Sequence, residues 1–382
     1  MPDMIVRPMT PADRSETRSV ARRCFGYFTI LFFDFGAQTL VCEEDGRIIG
    51  GIALGVFAAT PRSQRAGRES EGRAGVIKWL FTLPEAQGRG VANALLQRAL
   101  NWFNNQGCAE LVTCVEGHNT ASSNRFYDAG FRPLGFCAQL ARYGAVLPRV
   151  WLGAFHLFDV GHFLWVRGQP AETRAAERRG VGGGVAAWCT AVFLNAAILA
   201  VMRLRLGHPG AFSLGHASQL LSGVAVVLAV RTSAMLLAAR AVGLQVRYRS
   251  WETGIVLSAG IAALFGGIFP VPGSVYPRGL RWRYRDLLPQ LGPIGAVGAG
   301  ETLSLAWILW AVLHFFEPGG WLGGALGSAA MFARALLVFD LLVPVFPFAC
   351  FNGRRVLDWK PAVWGILVAA FAGLLVLGIT VR

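Results

Sequence analysis

Five long apolar runs in the second half of this 382-residue chain limit what it can fold into: Val185–Val201, Gln219–Ala241, Ile294–Phe316, Gly323–Phe346 and Ala362–Val381. About 20 apolar residues cross the hydrocarbon core of a bilayer as a helix, and a helix satisfies its own backbone there. Residues 185–382 therefore read as a multi-pass α-helical membrane domain. Ile255–Phe269 is shorter and glycine-rich, and it ends in Pro270-Val271-Pro272-Gly273. That segment reads as re-entrant or broken, not as a span.

The net charge of +14 comes mainly from arginine and is unevenly placed. Arg174, Arg178 and Arg179 precede the first run; Arg240, Arg247 and Arg249 follow the second. Arg278, Arg281, Arg283 and Arg285 precede the third, and Arg354, Arg355 and Lys360 the last. If Ile255–Phe269 dips in and returns, all these clusters share the side of the N-terminus. The positive-inside rule makes that side cytoplasmic in a cell membrane. The basic excess is read as membrane orientation and anionic-lipid contact, with no nucleic-acid partner. Seven cysteines (24, 42, 108, 114, 137, 189 and 350) without a Cys-x-x-Cys pair fit a reducing compartment. No cleavable signal peptide is expected, because the N-terminus already reads as a soluble fold.

In the first half, Val76–Leu83 is rich in β-branched and aromatic residues and closes at Pro84. Gln87-Gly88-Arg89-Gly90-Val91-Ala92 follows, and then Val91, Leu95, Leu96, Ala99, Leu100 and Phe103 recur at helical spacing up to Gly107. Glycines at a helix start let backbone N–H groups approach an anion that the helix dipole favours. Gln-x-x-Gly-x-Ala resembles the acetyl-CoA signature of GCN5-related N-acetyltransferases (GNAT). Asn119-Thr-Ala-Ser-Ser-Asn-Arg-Phe-Tyr-Asp-Ala-Gly-Phe131 is similar to that family's second motif. The element order matches too: a strand at Met4–Met9, a helix from Thr10, a hairpin of Gln38–Glu43 and Arg47–Phe57, the signature strand and helix, a strand at Ala109–Val115, the Asn119 helix, and a strand after Phe131. The resemblance implies an α/β GNAT fold, a mixed central sheet with flanking helices, over residues 1–145.

It also implies acetyl transfer from acetyl-CoA to an amine, small-molecule or protein. The backbone of Arg89 through Ala92, in the turn that opens with Gln87 and Gly88, would hold the pyrophosphate. The edge of Phe81-Thr82-Leu83 would meet the pantetheine arm, with a backbone N–H near Leu83 facing the thioester oxygen. Asn119 would bond the pantetheine. Glu116 is the candidate base, with Glu85 a second choice. Tyr127 resembles the family's thiolate-protonating tyrosine but sits three residues before Gly130, where four is usual; Phe126 holds that place. One residue of shift turns a helical side chain by about 100°.

The membrane half resembles site-2 intramembrane metalloproteases. Val230–Gly243 has the spacing of that family's His-Glu-x-x-His helix; Pro272-Gly273-Ser-Val-Tyr276, Gly298-Ala-Gly300 and Phe339–Pro347 leading to Asn352-Gly353 follow its later motifs. The aligned ligand positions hold Arg231 and Met235 for the histidines, Thr232 for the glutamate and Asn352 for the aspartate. Arginine stays protonated and cannot ligate zinc. No metal is expected, and the domain reads as an inactive relative that anchors the enzyme or presents a substrate, a membrane-protein partner being one such role. Arg231 would pair with Asp340 or Glu301, or snorkel to the interface.

Residues 146–184 read as an interfacial helix (Val150–Val166) and an Arg/Gly-rich linker. His156, Asp159 and His162 read as a polar helix face, not a metal site. Ala58–Gly75, with Arg62, Arg65, Arg68 and Arg73, reads as a solvated loop. Tyr27, Phe28, Phe32, Phe33 and Phe35 read as core packing, an apolar acceptor pocket or a surface leaning on the membrane domain. Two rival functions stay open: an acyl-CoA sensor or membrane scaffold without catalysis, and an active intramembrane metalloprotease.

Overall fold

The computed structural model describes residues 4–58, 72–154, 160–168, 183–344 and 350–380. Arg62, Arg65, Arg68, His156, Asp159, most of the Arg/Gly-rich linker and Phe346–Pro347 lie outside the described residues. The chain forms two compact units. One contains Met1–Val115, Ala121–His156 and Phe163–Val181; the other contains Glu116–Thr120, Leu157–His162 and Gly182–Arg382. The boundary therefore differs from a simple break after residue 145, because two short segments join the second unit.

The first unit is built on a seven-stranded sheet of order β1-β2-β3-β4-β5-β7-β6. Its strands are β1 (Ile5–Pro8), β2 (Gln38–Glu44), β3 (Arg47–Ala58), β4 (Arg73–Thr82), β5 (Glu110–Glu116), β6 (Arg132–Pro133) and β7 (His162–Arg167). The pairs from β1 to β4 are antiparallel, β4 and β5 are parallel, and β6 and β7 are antiparallel. A two-residue Asp45-Gly46 turn, both residues at positive φ, joins β2 to β3. Arg7 on β1 bridges Asp13 at the first helical turn and Glu43 on β2, each at 2.6 Å.

Helix α1 (Arg14–Thr29) is interrupted at Gly26, where φ is 83°. Helix α2 (Val91–Asn105) buries Val91, Leu95, Leu96, Ala99, Leu100 and Phe103, the periodic set expected from sequence. Gly107, at φ 68°, ends it. Helices α3 (Thr120–Asp128), α4 (Phe136–Tyr143) and α5 (Leu147–Gly153) follow. Buried Glu110 fixes α4 to β5: Arg142 Nε donates to its carboxylate at 2.8 Å, and the Tyr143 hydroxyl donates to its other oxygen.

One expectation is corrected here. Val150–Val166 is not an interfacial helix: α5 stops at Gly153, and His162–Arg167 is a sheet strand whose Phe163, Leu164 and Trp165 are buried. A strand between β5 and β6 buries both faces, so its apolar run does not alternate. That makes it hard to tell from a helix by pattern.

The second unit holds α6 (Val185–Arg205), α7 (Leu214–Ala241), β8 (Val246–Arg249), α8 (Glu252–Phe265), β9 (Ser274–Pro277), α9 (Tyr284–Phe315), α10 (Gly320–Leu337), α11 (Asn352–Trp359) and α12 (Pro361–Thr380). Among the described residues five helices are long and apolar enough to cross a membrane: α6, α7, α9, α10 with its wider final turn to Leu342, and α12. Helix α7 packs against α6, α9 and α10. Helix α8 has 14 residues, too few to span. The chain after it is non-helical and buried at Phe269–Val271. Unpaired backbone at membrane depth is costly, and side chains meet the requirement. Asn195 on α6 donates to Val271 O and accepts from Val271 N–H, both at 2.9 Å. Ser258 donates to Phe269 O and Tyr248 to Pro272 O.

Candidate functional site

Lys78 marks where β4 parts from β5. Ala74–Ile77 pairs with Glu110–Thr113 of β5, and among the described residues the later part of β4 pairs with β3 alone. The β3–β4 register slips between Ala53 and Leu54, whose partners are Trp79 and Ile77, so Lys78 is the bulged residue. A bulge bends and twists its strand, which accounts for the fork. At its base the Thr113 hydroxyl donates to Ile77 O at 3.0 Å, a buried contact. Beyond it, among the described residues, that edge of β4 has no partner strand as far as Thr82.

The Leu83 N–H, expected to face the thioester oxygen, instead donates to Ile49 O on β3 at 2.9 Å. Strand alternation then turns the N–H groups of Leu80 and Thr82 towards the open edge. Thr82 Oγ1 is buried with no hydrogen-bond partner among the described residues. The side chains of Phe81 and Leu83 are buried. The Cys24 thiol reaches the Thr82 main chain; burial above all pushes its pKa up to about 11, so it stands beside this edge as a neutral group.

The edge leads into the glycine turn through a short 3-10 turn, Pro84–Ala86. Gly88 (φ 79°) and Gly90 (φ 91°, ψ −3°) are left-handed, a conformation costing about 1–2 kcal/mol for other residues. Among the described residues, chain neighbours aside, no atom lies within 4 Å of where a Cβ would stand on either glycine. Gln87 N–H donates to Pro84 O at 3.3 Å, and the first bond of α2 runs from Ala94 N–H to Gly90 O at 3.0 Å. Among the described residues no main-chain carbonyl accepts from the N–H groups of Arg89, Gly90, Val91 or Ala92. These are the orphan donors of a helix start, at its positive end. The Arg89 side chain is held aside by Glu44. Arg125 of α3, which sequence reasoning did not single out, donates to Asn93 Oδ1 at 3.1 Å and sets a cation beside the first turn of α2. The donor set fits a diphosphate.

On α3, Phe126 is buried against Phe131, ring centroids 5.3 Å apart. Tyr127 is half-buried, with the Arg132 guanidinium 3.9 Å from its ring centroid. Glu85 is exposed and paired with Arg23 at 2.8 Å. Of the aromatic run, Phe33 is core: it packs on Phe35, Trp79 and Phe81. Tyr27 and Phe32 are exposed.

Glu116 and Asn119 group with the second unit. Burial pushes the Glu116 carboxyl up, opposed by the nearby charges of His162 and Arg354. His118 Nδ1 lies 4.0 Å from Glu116 Oε1, and His118 Nε2 faces Arg355 Nε at 2.9 Å. Arginine only donates, so Nε2 is the accepting nitrogen and the ring proton sits on Nδ1, towards Glu116. Asn119 N–H donates to Glu116 O at 3.0 Å.

The second unit also gathers the positions that stand where the zinc ligands would be. Arg231 on α7 makes a two-point ion pair with Asp340, both buried; one contact is 3.0 Å. Asp340 Oδ1 accepts from Asn352 N–H at 3.1 Å, and Asn352 Nδ2 lies 3.7 Å from Met235 Sδ. A Cβ on Gly298 of α9 would stand 2.6 Å from Met235 Cγ and 2.9 Å from Asn352 Nδ2, so that glycine admits the convergence. Of the two partners expected for Arg231, the structure selects Asp340, and snorkelling is excluded. Among the described residues no three His, Cys, Asp or Glu side chains gather as a metal site.

Residues 7–131 match the family model described as Acetyltransferase (GNAT) family, and this stretch is a GNAT domain. Among solved structures, a GNAT family acetyltransferase from Brucella melitensis in complex with acetyl-CoA is 21% identical, over 35% of this chain and 84% of that one, with a TM-score of 0.26. NAA60 of Arabidopsis thaliana in complex with acetyl-CoA is 17% identical, over 44% of this chain and 100% of that one, with a TM-score of 0.33. Among curated proteins, one from Methanocaldococcus jannaschii, provisionally described as a zinc metalloprotease, is 28% identical over 134 residues, 34% of this chain. The chain spans 63% of that relative's length. This likeness accords with the site-2 protease resemblance of the second unit.

Proposed function

We propose that the chain is a membrane-anchored N-acetyltransferase that moves acetyl from acetyl-CoA to an amine, on a multi-pass domain that keeps a site-2 protease frame without its zinc chemistry. The observation that carries this is the continuous run from an open β4 edge to unclaimed N–H groups at the start of α2. Arg89–Ala92 would hold the diphosphate, with Arg125 adding positive charge. Leu80 and Thr82 would supply main-chain donors along the pantetheine and at the thioester oxygen, where charge develops. Both structural relatives named above were crystallised with acetyl-CoA, which supports the same co-substrate.

Glu116 would take the amine proton; its raised pKa brings a carboxyl nearer to the basicity that task needs. Tyr127 would return a proton to the leaving thiolate. Asn119 would bond the pantetheine. In the second unit, Arg231 occupies a ligand position with a permanent cation, and Met235 and Asn352 are poor substitutes for imidazole and carboxylate. Loss of proteolysis follows from that donor set. The arginine clusters, read by the positive-inside rule, support a cytoplasmic first unit. The domain would then anchor the enzyme or present its acceptor.

The test is calorimetric titration of the full chain in detergent with acetyl-CoA, followed by CoA release over a panel of amines. Saturable binding that Gly90→Glu abolishes, with amine-dependent release, upholds the reading; unchanged affinity in that variant overturns it. A second reading is favoured by one observation, Phe126 in place of the usual tyrosine. Binding without turnover on any amine would make the unit an acyl-CoA sensor.

A further inference from the structure

We propose that α9 and α10 of the second unit form a helix-pairing surface for a second copy of this chain, in which Glu301 of one copy meets Arg334 of the other. Glu301, left over once Asp340 answers Arg231, is exposed on the outer face of α9. Arg334 is half-buried on α10, and its Nε is buried with no hydrogen-bond partner. Among the described residues neither side chain forms an ion pair, although both lie in helices apolar enough to span a membrane. A charged side chain within a span is costly unless it is paired or reaches water, so each calls for a partner of opposite sign.

Depth decides what that partner is. Helices α9 and α10 pack together and are joined by the short loop 316–319, so they run antiparallel. Glu301 is as far from Phe315 as Arg334 is from Gly320, about 21 Å at 1.5 Å per residue, so the two charges share one level. The match continues along both faces. Glu301, Ser304 and Ile308 are exposed on one side of α9, and Gly327, Met331 and Arg334 are half-exposed at the same helical spacing on α10. Ser304 is level with Met331, and Ile308 with Gly327. Among the described residues, its own helix backbone and chain neighbours aside, no atom lies within 4 Å of where a Cβ would stand on Gly327. At both levels a small residue stands across from a large one, which suits close helix packing in a bilayer. A two-fold axis along the bilayer normal brings α9 of one copy to α10 of the other without changing depth, and it makes the Glu301–Arg334 contact twice. Snorkelling answers a long arginine, whereas glutamate is too short for it. A second copy answers both charges at once. This inference does not depend on acetyl transfer; it rests on α9 and α10 crossing a bilayer.

Energy transfer between donor-labelled and acceptor-labelled full chains in phosphatidylcholine liposomes tests it, over a range of protein-to-lipid ratios. Resistance of the same liposomes to alkaline extraction reads membrane insertion separately, so loss of pairing and failure to span are told apart. The wild-type chain should pair. Glu301→Arg alone and Arg334→Glu alone should each weaken pairing by about tenfold or more, since each sets like charges together at both contacts. Mixing these two variants should restore it, because both contacts of the mixed pair again join an arginine to a glutamate. Glu301→Gln and Arg334→Gln, which add no charge and disturb folding less, should each weaken pairing too. Wild-type chains that stay apart at every ratio overturn the proposal and leave the two charges to lipid or to another membrane protein. Unaltered pairing in the glutamine variants overturns it as well. So does a mixture of the reversed variants that pairs no better than either alone.

Discussion

Replacing Arg231 by methionine should strip a buried carboxylate of its counter-charge. Arg231 and Asp340 side chains are 2% and 0% exposed, and the guanidinium meets both carboxylate oxygens. After the change Asp340 would keep only the Asn352 N–H at 3.1 Å. Breaking one side of such a pair costs about 3–5 kcal/mol, whereas replacing both partners with apolar groups is often neutral. Arg231→Met alone should therefore lower the unfolding midpoint of the detergent-solubilised chain by about 6–20 °C, at roughly 2–4 °C per kcal/mol for a unit of this size. Arg231→Met with Asp340→Leu should recover most of that loss, giving a coupling energy of about 3 kcal/mol in a double-mutant cycle. Arg231→Lys should fall between, because an ammonium cannot reproduce the two-point contact. Small, additive effects of the two single changes would mean that the pair does not brace α7 against the turn that follows α10.

Gly90→Ala should weaken acetyl-CoA binding by about tenfold through the left-handed φ alone, about 1–2 kcal/mol, and Gly90→Glu should remove it; calorimetry reads both. Glu116 is raised in the fold, so its base form is lost as pH falls through a value above the ordinary glutamate range. The acid limb of kcat/KM should lie above about 4.3, the usual carboxyl value, and Glu116→Gln should flatten it. Cys24 should resist alkylation at neutral pH and gain reactivity only as pH rises towards about 11, as mass spectrometry of the labelled peptide would report. Acetyl-CoA should slow that alkylation further if it lies along Thr82. Tyr127→Phe should lower kcat at unchanged acetyl-CoA affinity if the hydroxyl is the acid, and leave kcat unaltered if it is not.

Much of the turn between β4 and α2 was legible in sequence because it is local. Gly88 and Gly90 announce left-handed turns, and the six apolar positions of α2 announce the face it buries. The Leu83 N–H, expected near the thioester oxygen, is taken by Ile49 O on β3. Which N–H groups face outward depends on the bulge at Lys78 and on pairing with Ile49, distant in sequence. The strand at His162–Arg167 was misread because burial on both faces erases alternation. Arg125 gave no signal: a lone arginine on a short helix acquires meaning only when α3 brings it to Asn93.

The sequence by itself determined which face α2 buries, which runs are apolar enough to span, and that Arg231, Met235 and Asn352 carry poor zinc-ligand chemistry. These are properties of side-chain chemistry and of spacing along one element. Tertiary structure decided that β4 and β5 part at Lys78, that Asp340 and not Glu301 answers Arg231, and that Glu116–Thr120 joins the second unit. Each of these pairs groups far apart in the chain, and pairing of that kind is set by packing and register, which no single stretch of residues encodes.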